Sequence, residues 1–95
     1  MEFEWDESKR ASNLSKHGVD FAAVEAFEWE TAAVQEDRRR DYGEQRWSAQ
    51  GIISGRVHTL SFAVRGTRVR VISLRTASRK ERAAYGQAQA HIPHR

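Results

Sequence analysis

The chain has 95 residues, which suits one small domain, and it contains no cysteine, so disulfide frameworks and thiolate metal sites are excluded. Leu, Ile, Val and Phe supply only 18 residues, which three Trp and thirteen Ala supplement, so we expect a folded domain with a thin core. The first residues lack the pattern of a signal peptide, and the longest apolar run is too short to cross a membrane. These features favour a soluble, cytoplasmic protein with no membrane partner.

The formal net charge of +3 hides an uneven distribution along the chain. Residues 1–45 carry six Lys/Arg and twelve Asp/Glu, a net charge of −6, whereas residues 46–95 carry ten Lys/Arg and one acid, Glu81, a net charge of +9. Thirteen of the sixteen basic residues are Arg, whose planar guanidinium matches phosphate. The second half therefore indicates a surface for a polyanion. The alternative is that the two halves neutralise each other through ion pairs across the fold.

The N-terminal third predicts a short strand followed by two helices. Polar and apolar residues alternate over residues 2–5, which is typical of a strand. Asp6 is placed to cap a helix that runs to about His17 and ends at Gly18, where a left-handed backbone favours glycine. Asp20 is placed to cap the second helix, whose large apolar residues repeat at intervals of three.

Lys16 and His17, directly before Gly18, have two interpretations. At a helix C-terminus, positive charge is favoured by the helix dipole, and this role does not require histidine. As functional residues, they supply a phosphate-binding cation and a titratable imidazole. We expect Gly18 to be structural, Lys16 to help to hold phosphate and His17 to contribute to activity.

From residue 31 the pattern changes to strands, predicted at 31–35, 45–53, 57–64 and 67–75. The last strand does not keep one alternation of apolar residues, which indicates either a central strand covered on both faces or a bulge. Ser78 and Glu81 form a capping box that begins a C-terminal helix, which runs to about residue 90. The order β-α-α-β-β-β-β-α predicts an α+β fold, with antiparallel later strands and helices packed on one face of the sheet.

The last strand and its exit hold a group of basic residues that predicts an anion site. Arg68 and Arg70 alternate onto one strand face, and Arg75 lies just before a helix N-terminus, whose free N–H groups attract anions. Arg46, on a neighbouring strand, is placed to join them. The basic residues at the start of the helix are Arg79, Lys80 and Arg82. The alternative is a solvated basic strand edge and helix start without a ligand.

An RNA phosphate held by these arginines can be cleaved without a metal or another cofactor. The RNA 2′-hydroxyl attacks the adjacent phosphorus, and cationic donors stabilise the developing negative charge. Histidine is the natural general acid or base, and His17 and His58 are the histidines in the part expected to fold. His58 shares a strand face with large apolar residues, which favours a structural role. His91 and His94 of the tail are too few for a metal site.

Taken in order from Phe3 to Tyr85, the sequence resembles the BrnT toxins of bacterial type II toxin–antitoxin systems. The resemblance rests mainly on the segments FEWDESKRASNLSKHGVDF and VRVISLRTASRKERAAY. Four residues between these segments also agree with the family: Gly43, Glu44, Arg46 and Gly51.

This resemblance implies a RelE-like fold, in which a small, curved antiparallel sheet is joined by two N-terminal helices and one C-terminal helix. We expect a single toxin domain at 1–90 and a flexible tail at 91–95. The resemblance also implies a ribonuclease that acts on RNA and arrests growth. Its partner would be a BrnA-type ribbon-helix-helix antitoxin, through which the complex binds operator DNA and represses its own operon.

The expected catalytic residues are Arg70, Arg75, Arg46 and His17. The expected RNA-binding residues are Lys16, Arg68, Arg79 and Lys80. The alternative function is a non-catalytic basic module that binds nucleic acid or an acidic partner.

Overall fold

The computed structural model describes residues 1–90, in which a five-stranded sheet is combined with two α-helices and two 3₁₀ helices. The strands are β1 (Glu2–Glu4), β2 (Ala33–Asp37), β3 (Arg46–Ile53), β4 (Arg56–Arg65) and β5 (Arg68–Thr76). The α-helices are α1 (Glu7–His17) and α2 (Arg79–Ala90), and the 3₁₀ helices are Phe21–Ala26 and Trp29–Thr31. The predicted tail at 91–95, with its two histidines, lies outside the described residues. None of the helices in the described part has the length and apolar character needed to cross a membrane.

The strands lie in the order β1-β5-β4-β3-β2. The three pairings among β2, β3, β4 and β5 are antiparallel, as predicted from consecutive hairpins, whereas β1 pairs with β5 in parallel. The α+β class is confirmed, but the expectation of an antiparallel sheet is wrong at β1. After β1, the helical segment leads to β2 at the opposite edge of the sheet. The following strands β3, β4 and β5 pair in turn, so that β5 lies beside β1.

The first helix begins and ends at the predicted residues. The Asp6 carboxylate accepts a hydrogen bond of 3.0 Å from the backbone N–H of Lys9. Gly18 has a φ of 72°, and its N–H donates to the carbonyl oxygen of Leu14 at 2.8 Å. Local sequence signals therefore determine both ends of α1.

Asn13, buried in the middle of α1, attaches this helix to the edge of β5. Its side-chain amide donates to the carbonyl oxygen of Leu74 at 2.7 Å and accepts from the backbone N–H of Leu74 at 3.3 Å. β1 pairs only with positions 68–70 of β5. Further along this edge, the Asn13 amide supplies Leu74 with the backbone hydrogen bonds that a neighbouring strand would otherwise form.

The second helix is a 3₁₀ helix and not an α-helix. Asp20 caps it as predicted, by accepting a hydrogen bond of 2.9 Å from the N–H of Ala22. A turn of three residues matches the three-residue spacing of Phe21, Val24 and Phe27, all of which are buried. The next residues form the second 3₁₀ helix, so β2 begins at residue 33 and not at 31.

A bulge in β5 decides which of its side chains share a face. Ser61 of β4 lies opposite Ser73, but the next residue, Phe62, lies opposite Val71, so Ile72 is an extra residue in β5. Of the two predicted explanations for the irregular alternation, the structure therefore shows the bulge.

The core lies between one face of the sheet and the segment that contains α1 and the 3₁₀ helices. Trp29 packs edge-on between Phe27 and Phe62, with ring centroids 4.8 and 5.4 Å apart. Gly51 leaves room for the Phe27 ring, because a Cβ at this position would lie 2.9 Å from Phe27 Cε1. The buried core residues are Phe21, Val24, Phe27, Ala49, Ile53, Leu60, Phe62, Val69, Val71 and Leu74.

The C-terminal helix borders the opposite face, so the prediction that the helices pack on one face is wrong. Glu81 of α2 accepts a hydrogen bond of 3.1 Å from Thr59, whose side chain points away from the core side of β4. The buried Tyr85 donates from its hydroxyl group to the carbonyl oxygen of Thr31 at 3.1 Å. Because α2 has few large apolar residues, such hydrogen bonds hold it beside the sheet.

Candidate active site on the polar face of the sheet

The sheet face opposite the core is mainly polar, and we call it the polar face. Cross-strand partners direct their side chains to the same side, so the register arranges this face in rows, three of which adjoin the groove. A further row, with Glu2, Arg68 and Arg65, lies beside the first of these three. The first row contains Glu4, Arg70, Ala63, Arg46 and Asp37. The middle row contains Ser73, Ser61, Ser48 and Gln35. The third row contains Arg75, Thr59, Gln50 and Ala33.

The bulge in β5 brings Arg70 and Arg75 to this common face. Five positions separate them, so in a regular strand their side chains would point to opposite sides. The extra residue, Ile72, brings the side chains of Arg70 and Arg75 to the same side of the sheet. Their partners in β4 are Ala63 for Arg70 and Thr59 for Arg75. The structure therefore gathers three predicted catalytic residues, Arg46, Arg70 and Arg75, on the polar face.

Arg75 is held in a fixed orientation by Glu81. Its two terminal nitrogens donate to the two carboxylate oxygens of Glu81 at 2.6 and 2.9 Å. The backbone N–H of Ser78 and the hydroxyl group of Thr59 also donate to Glu81, at 2.8 and 3.1 Å. The capping box is thus confirmed, and its carboxylate also positions an arginine. A guanidinium has five N–H donors, so Arg75 keeps donors that Glu81 does not use.

These contacts shift the pKa values of both partners. Chiefly through the Arg75 hydrogen bonds, and also through those from Ser78 and Thr59, the pKa of Glu81 is lowered to about 2. The same pair raises the pKa of Arg75. Both groups are therefore charged at neutral pH, and Glu81 is too weak a base to accept a proton from an RNA hydroxyl group.

The N-terminal strand supplies acids to two further arginines. The parallel register sets Glu2 opposite Arg68 and Glu4 opposite Arg70. Arg70 donates to Glu4 at 2.8 Å, and Arg68 donates to Glu2 at 3.1 Å. For these residues the structure shows the alternative considered from the sequence, in which the acidic and basic halves neutralise each other across the fold.

Arg46 lies over an aromatic ring. Its guanidinium carbon is 4.2 Å from the centroid of the Tyr42 ring, which is a cation–π arrangement. Its Nε atom is buried and has no hydrogen-bond partner among the described residues, and the nearest Glu44 oxygen lies 3.8 Å away. Arg46 therefore keeps an unused buried donor.

The arginine-rich loop after β2 is also partly neutralised. Arg38 pairs with Glu36, and Arg39 pairs with Asp37, each at 2.8 Å. Hydrogen bonds from Arg39 and from the Tyr42 hydroxyl group hold the pKa of Asp37 well below its usual range. These pairs lie at the border of a groove between the polar face and α2, with a volume of about 590 Å³.

The other predicted site residues lie on the two α-helices. Lys80 lines the groove, and Arg79 is exposed beside it at the start of α2. Lys16 and His17 are exposed in the last turn of α1, three and four positions after Asn13 and so on the same side of this helix. Among residues 1–90, neither forms a hydrogen bond or ion pair with the arginines of the polar face.

His58 lies away from the polar face. It is buried, and its ring Nδ1 lies 2.8 Å from the carbonyl oxygen of Arg56, to which it donates. This geometry supports the structural role that its neighbours indicated. Within the described residues, no group of three or more His, Asp or Glu is arranged to hold a metal ion.

Sequence reasoning missed the residues that position the arginines. The capping-box pattern of Glu81 indicates only a helix start, although its separation of six residues from Arg75 is compatible with a contact. Glu4 and Tyr42 gave no signal, because their contacts depend on strand pairing and on the path of a loop. Asn13 gave no signal of its contact with the edge of β5, because Asn13 and Leu74 are 61 positions apart in the sequence.

A polar sheet face with fixed arginines beside an open groove is an arrangement that can bind an anion. Residues 5–81 match the family model of BrnT, the ribonuclease toxin of a type II toxin–antitoxin system. The chain belongs to this family, as its resemblance indicated, and is therefore a ribonuclease toxin with a cognate antitoxin. A comparison with curated proteins gave no match.

Replacement of Glu81 by Gln tests the pair with Arg75. The folded-state pKa of Glu81, about 2, lies below its ordinary value of 4.5, so its contribution to stability is present above about pH 4.5 and is lost as the pH falls towards 2. We expect Glu81→Gln to lower the free energy of unfolding at pH 7 and to differ less from wild type at pH 2.5. Urea denaturation across this range provides the measurement.

Glu25→Gln is the matched control, because Glu25 is exposed and forms no ion pair among the described residues. A deficit of Glu81→Gln that is the same at pH 7 and pH 2.5 would show that the charge of Glu81 does not stabilise the fold.

Proposed function

We propose that this protein is a RelE-like endoribonuclease, formed by a single domain at 1–90, whose active surface is the polar face. The observation that carries this proposal is the common location of Arg46, Arg70 and Arg75 in a member of a ribonuclease toxin family. Their orientation by Glu4, Glu81 and Tyr42 supports it, because oriented donors need no reorganisation when they stabilise a charge that develops during a reaction.

In the proposed reaction, the RNA 2′-oxygen bonds to the adjacent phosphorus, and the bond from phosphorus to the 5′-oxygen breaks. The 2′-hydroxyl group loses a proton, and the departing 5′-oxygen gains one. The free N–H donors of Arg75, Arg70 and Arg46 stabilise the additional negative charge on the phosphate oxygens. The chemistry requires no metal ion, because guanidinium groups supply the positive charge.

His17 is the proposed general acid or base, and Lys16 is the proposed phosphate contact beside it. Their side of α1 is fixed to the edge of β5 by Asn13, and Arg75 directly follows the residue that Asn13 binds. Three further basic residues would bind the RNA chain: Arg68, Arg79 and Lys80. Lys80 is the cation that lines the groove without an ion pair among the described residues.

The antitoxin is proposed to be of the BrnA type, with a ribbon-helix-helix DNA-binding part. We propose that an acidic or amphipathic segment of it covers the polar face and blocks access of RNA in the cytoplasm. Arginines that already bind carboxylates in the toxin support this, because the same groups can exchange internal acids for those of a partner. The complex would bind operator DNA through the antitoxin and repress its own operon.

A specific observation also favours the second candidate, a non-catalytic module that binds nucleic acid or an acidic partner. Among the described residues, neither His17 nor His58 lies on the polar face, and the acids of its strands are paired with arginines, so the face itself offers no free general acid or base. A binding module and a ribonuclease would use the same surface, and cleavage of RNA by the purified protein separates them.

Alanine replacements test the proposed active surface. We expect Arg46→Ala, Arg70→Ala and Arg75→Ala each to abolish growth arrest and to lower the rate of RNA cleavage by about a hundredfold or more, because each removes an oriented donor. Arg75→Lys should be almost as inactive as Arg75→Ala, since an ammonium group lacks the planar fork that Glu81 orients. Growth after induction, RNA cleavage and melting temperature are measured in parallel.

Arg56→Ala is the matched control, because it removes the same charge from an exposed position at the start of β4. Full toxicity of the folded Arg70→Ala and Arg75→Ala proteins would remove the polar face from the mechanism.

Metal removal tests the proposed chemistry. We expect RNA cleavage by the purified protein to proceed at an unchanged rate in excess EDTA, because the guanidinium groups supply the positive charge. Cleavage is followed on a labelled single-stranded RNA. Loss of cleavage in EDTA, followed by recovery with magnesium, would refute a metal-independent reaction.

A further inference from the structure

We propose that the groove between the polar face and α2 binds one base of single-stranded RNA, and that Gln50 determines which base is preferred. This inference rests on the proposed function, since that function supplies RNA as the ligand. The family assignment describes a ribonuclease toxin and does not assign a base-binding site or a specificity residue.

The floor of the groove is uncharged and able to form hydrogen bonds. Ser48 lies opposite Ser61, and Gln50 lies opposite Thr59, so two adjacent strands present four such side chains to the groove. The volume of about 590 Å³ falls within the range of roughly 300–1,000 Å³ that is usual for small-molecule pockets. A nucleotide is a ligand of this size class.

The charged residues lie at the border of the groove, and most of them are paired. Arg38 binds Glu36, Arg39 binds Asp37, and Arg75 binds Glu81. These paired groups and Lys80, which has no ion-pair partner within residues 1–90, line the groove around the neutral floor. Such a site suits a ligand with a neutral, hydrogen-bonding part above the floor and an anionic part at the border, as a base and its phosphate provide.

Gln50 has hydrogen-bonding capacity that the fold does not use. Its Nε2 atom lies 3.5 Å from both the Ser48 and the Thr59 hydroxyl oxygens, which is the long limit of a hydrogen bond. The Thr59 hydroxyl group donates its proton to Glu81 and therefore has none for Gln50. No donor among the described residues reaches the amide oxygen of Gln50. A side-chain amide with a free acceptor and a weakly used donor matches the donor–acceptor edge of a base.

The shape of the site favours single strands. In an RNA duplex the base edges of the deep groove are closed to side chains, whereas an unpaired base can turn outward and lie on an aromatic ring. Tyr85 lines one wall of the groove, and its hydroxyl group is fixed to Thr31. Because most of its ring is buried, Tyr85 offers an unpaired base an apolar edge to contact and not an open ring face to stack on. Gln50 would then form hydrogen bonds with the edge of a base that contacts the Tyr85 side of the groove.

The test maps cleavage sites on a random-sequence single-stranded RNA library for wild type, Gln50→Leu and Gln87→Leu. We expect wild type to show an enriched base at one position near the cleaved bond. In Gln50→Leu this enrichment should fall by about tenfold, the discrimination that one good amide–base contact provides. Gln87→Leu, an identical change at an exposed position of α2, should retain the wild-type enrichment. Melting temperatures establish that each variant is folded.

Two results overturn the proposal: wild-type cleavage with no base preference, or an unchanged preference in folded Gln50→Leu. If Gln50→Leu does not fold, Gln50→Asn takes its place, because it keeps the amide but withdraws it by one methylene group, and its enrichment should also fall. If wild type cleaves no RNA, the proposed function fails. The base preference is then measured on the fraction of the library that the protein retains, where the same loss in Gln50→Leu is expected and an unchanged preference counts against the inference.

Discussion

One extra residue in β5 makes the rest of the site possible. The pairing with β4 passes from Ser61 opposite Ser73 to Phe62 opposite Val71, and Ile72 is left without a partner. Without this bulge, Arg70 and Arg75 would point to opposite faces, and one guanidinium would enter an apolar core at a large desolvation cost. The bulge therefore serves the packing of the core and the assembly of the polar face at the same time.

Ion pairs fix the orientation of the arginine side chains on the polar face. The acidic N-terminal half meets the basic C-terminal half through β1, whose Glu4 binds Arg70, while Glu81 binds Arg75 from the capping box. The net charge of the second half therefore overstates the positive charge that is free to attract a polyanion. Each of these two guanidinium groups is held in one direction and keeps free N–H donors. Much of the conformational entropy of the side chains is therefore lost when the protein folds and not when a ligand binds.

Local signals could be read from the sequence, whereas long-range contacts could not. Asp6, Gly18 and Asp20 act on backbone groups within four residues, so both ends of α1 and the start of the first 3₁₀ helix were predicted correctly. The bulge was one of two options, because an irregular alternation does not distinguish it from a doubly covered strand. Three features depend on contacts between residues that are distant in the sequence, so local patterns do not indicate them. They are the parallel pairing of β1, the side of the sheet on which α2 lies, and the contact of Glu4 with Arg70. Arg46, Arg70 and Arg75 were named as one site, but the carboxylates that hold Arg70 and Arg75 and the Tyr42 ring beside Arg46 were not.

The most direct test of the central claim, that RNA binds the polar face, observes the arginine side chains themselves. The Nε–H signals of a ¹⁵N-labelled sample are recorded by NMR during titration with a single-stranded RNA whose 2′-hydroxyl groups are methylated, so that it cannot be cleaved. We expect the signals of Arg46, Arg70 and Arg75 to shift together, while those of Arg10 in α1 and Arg56 at the start of β4 remain unchanged. Saturable shifts at Arg10 and Arg56, with the three signals of the polar face unmoved, would contradict the account.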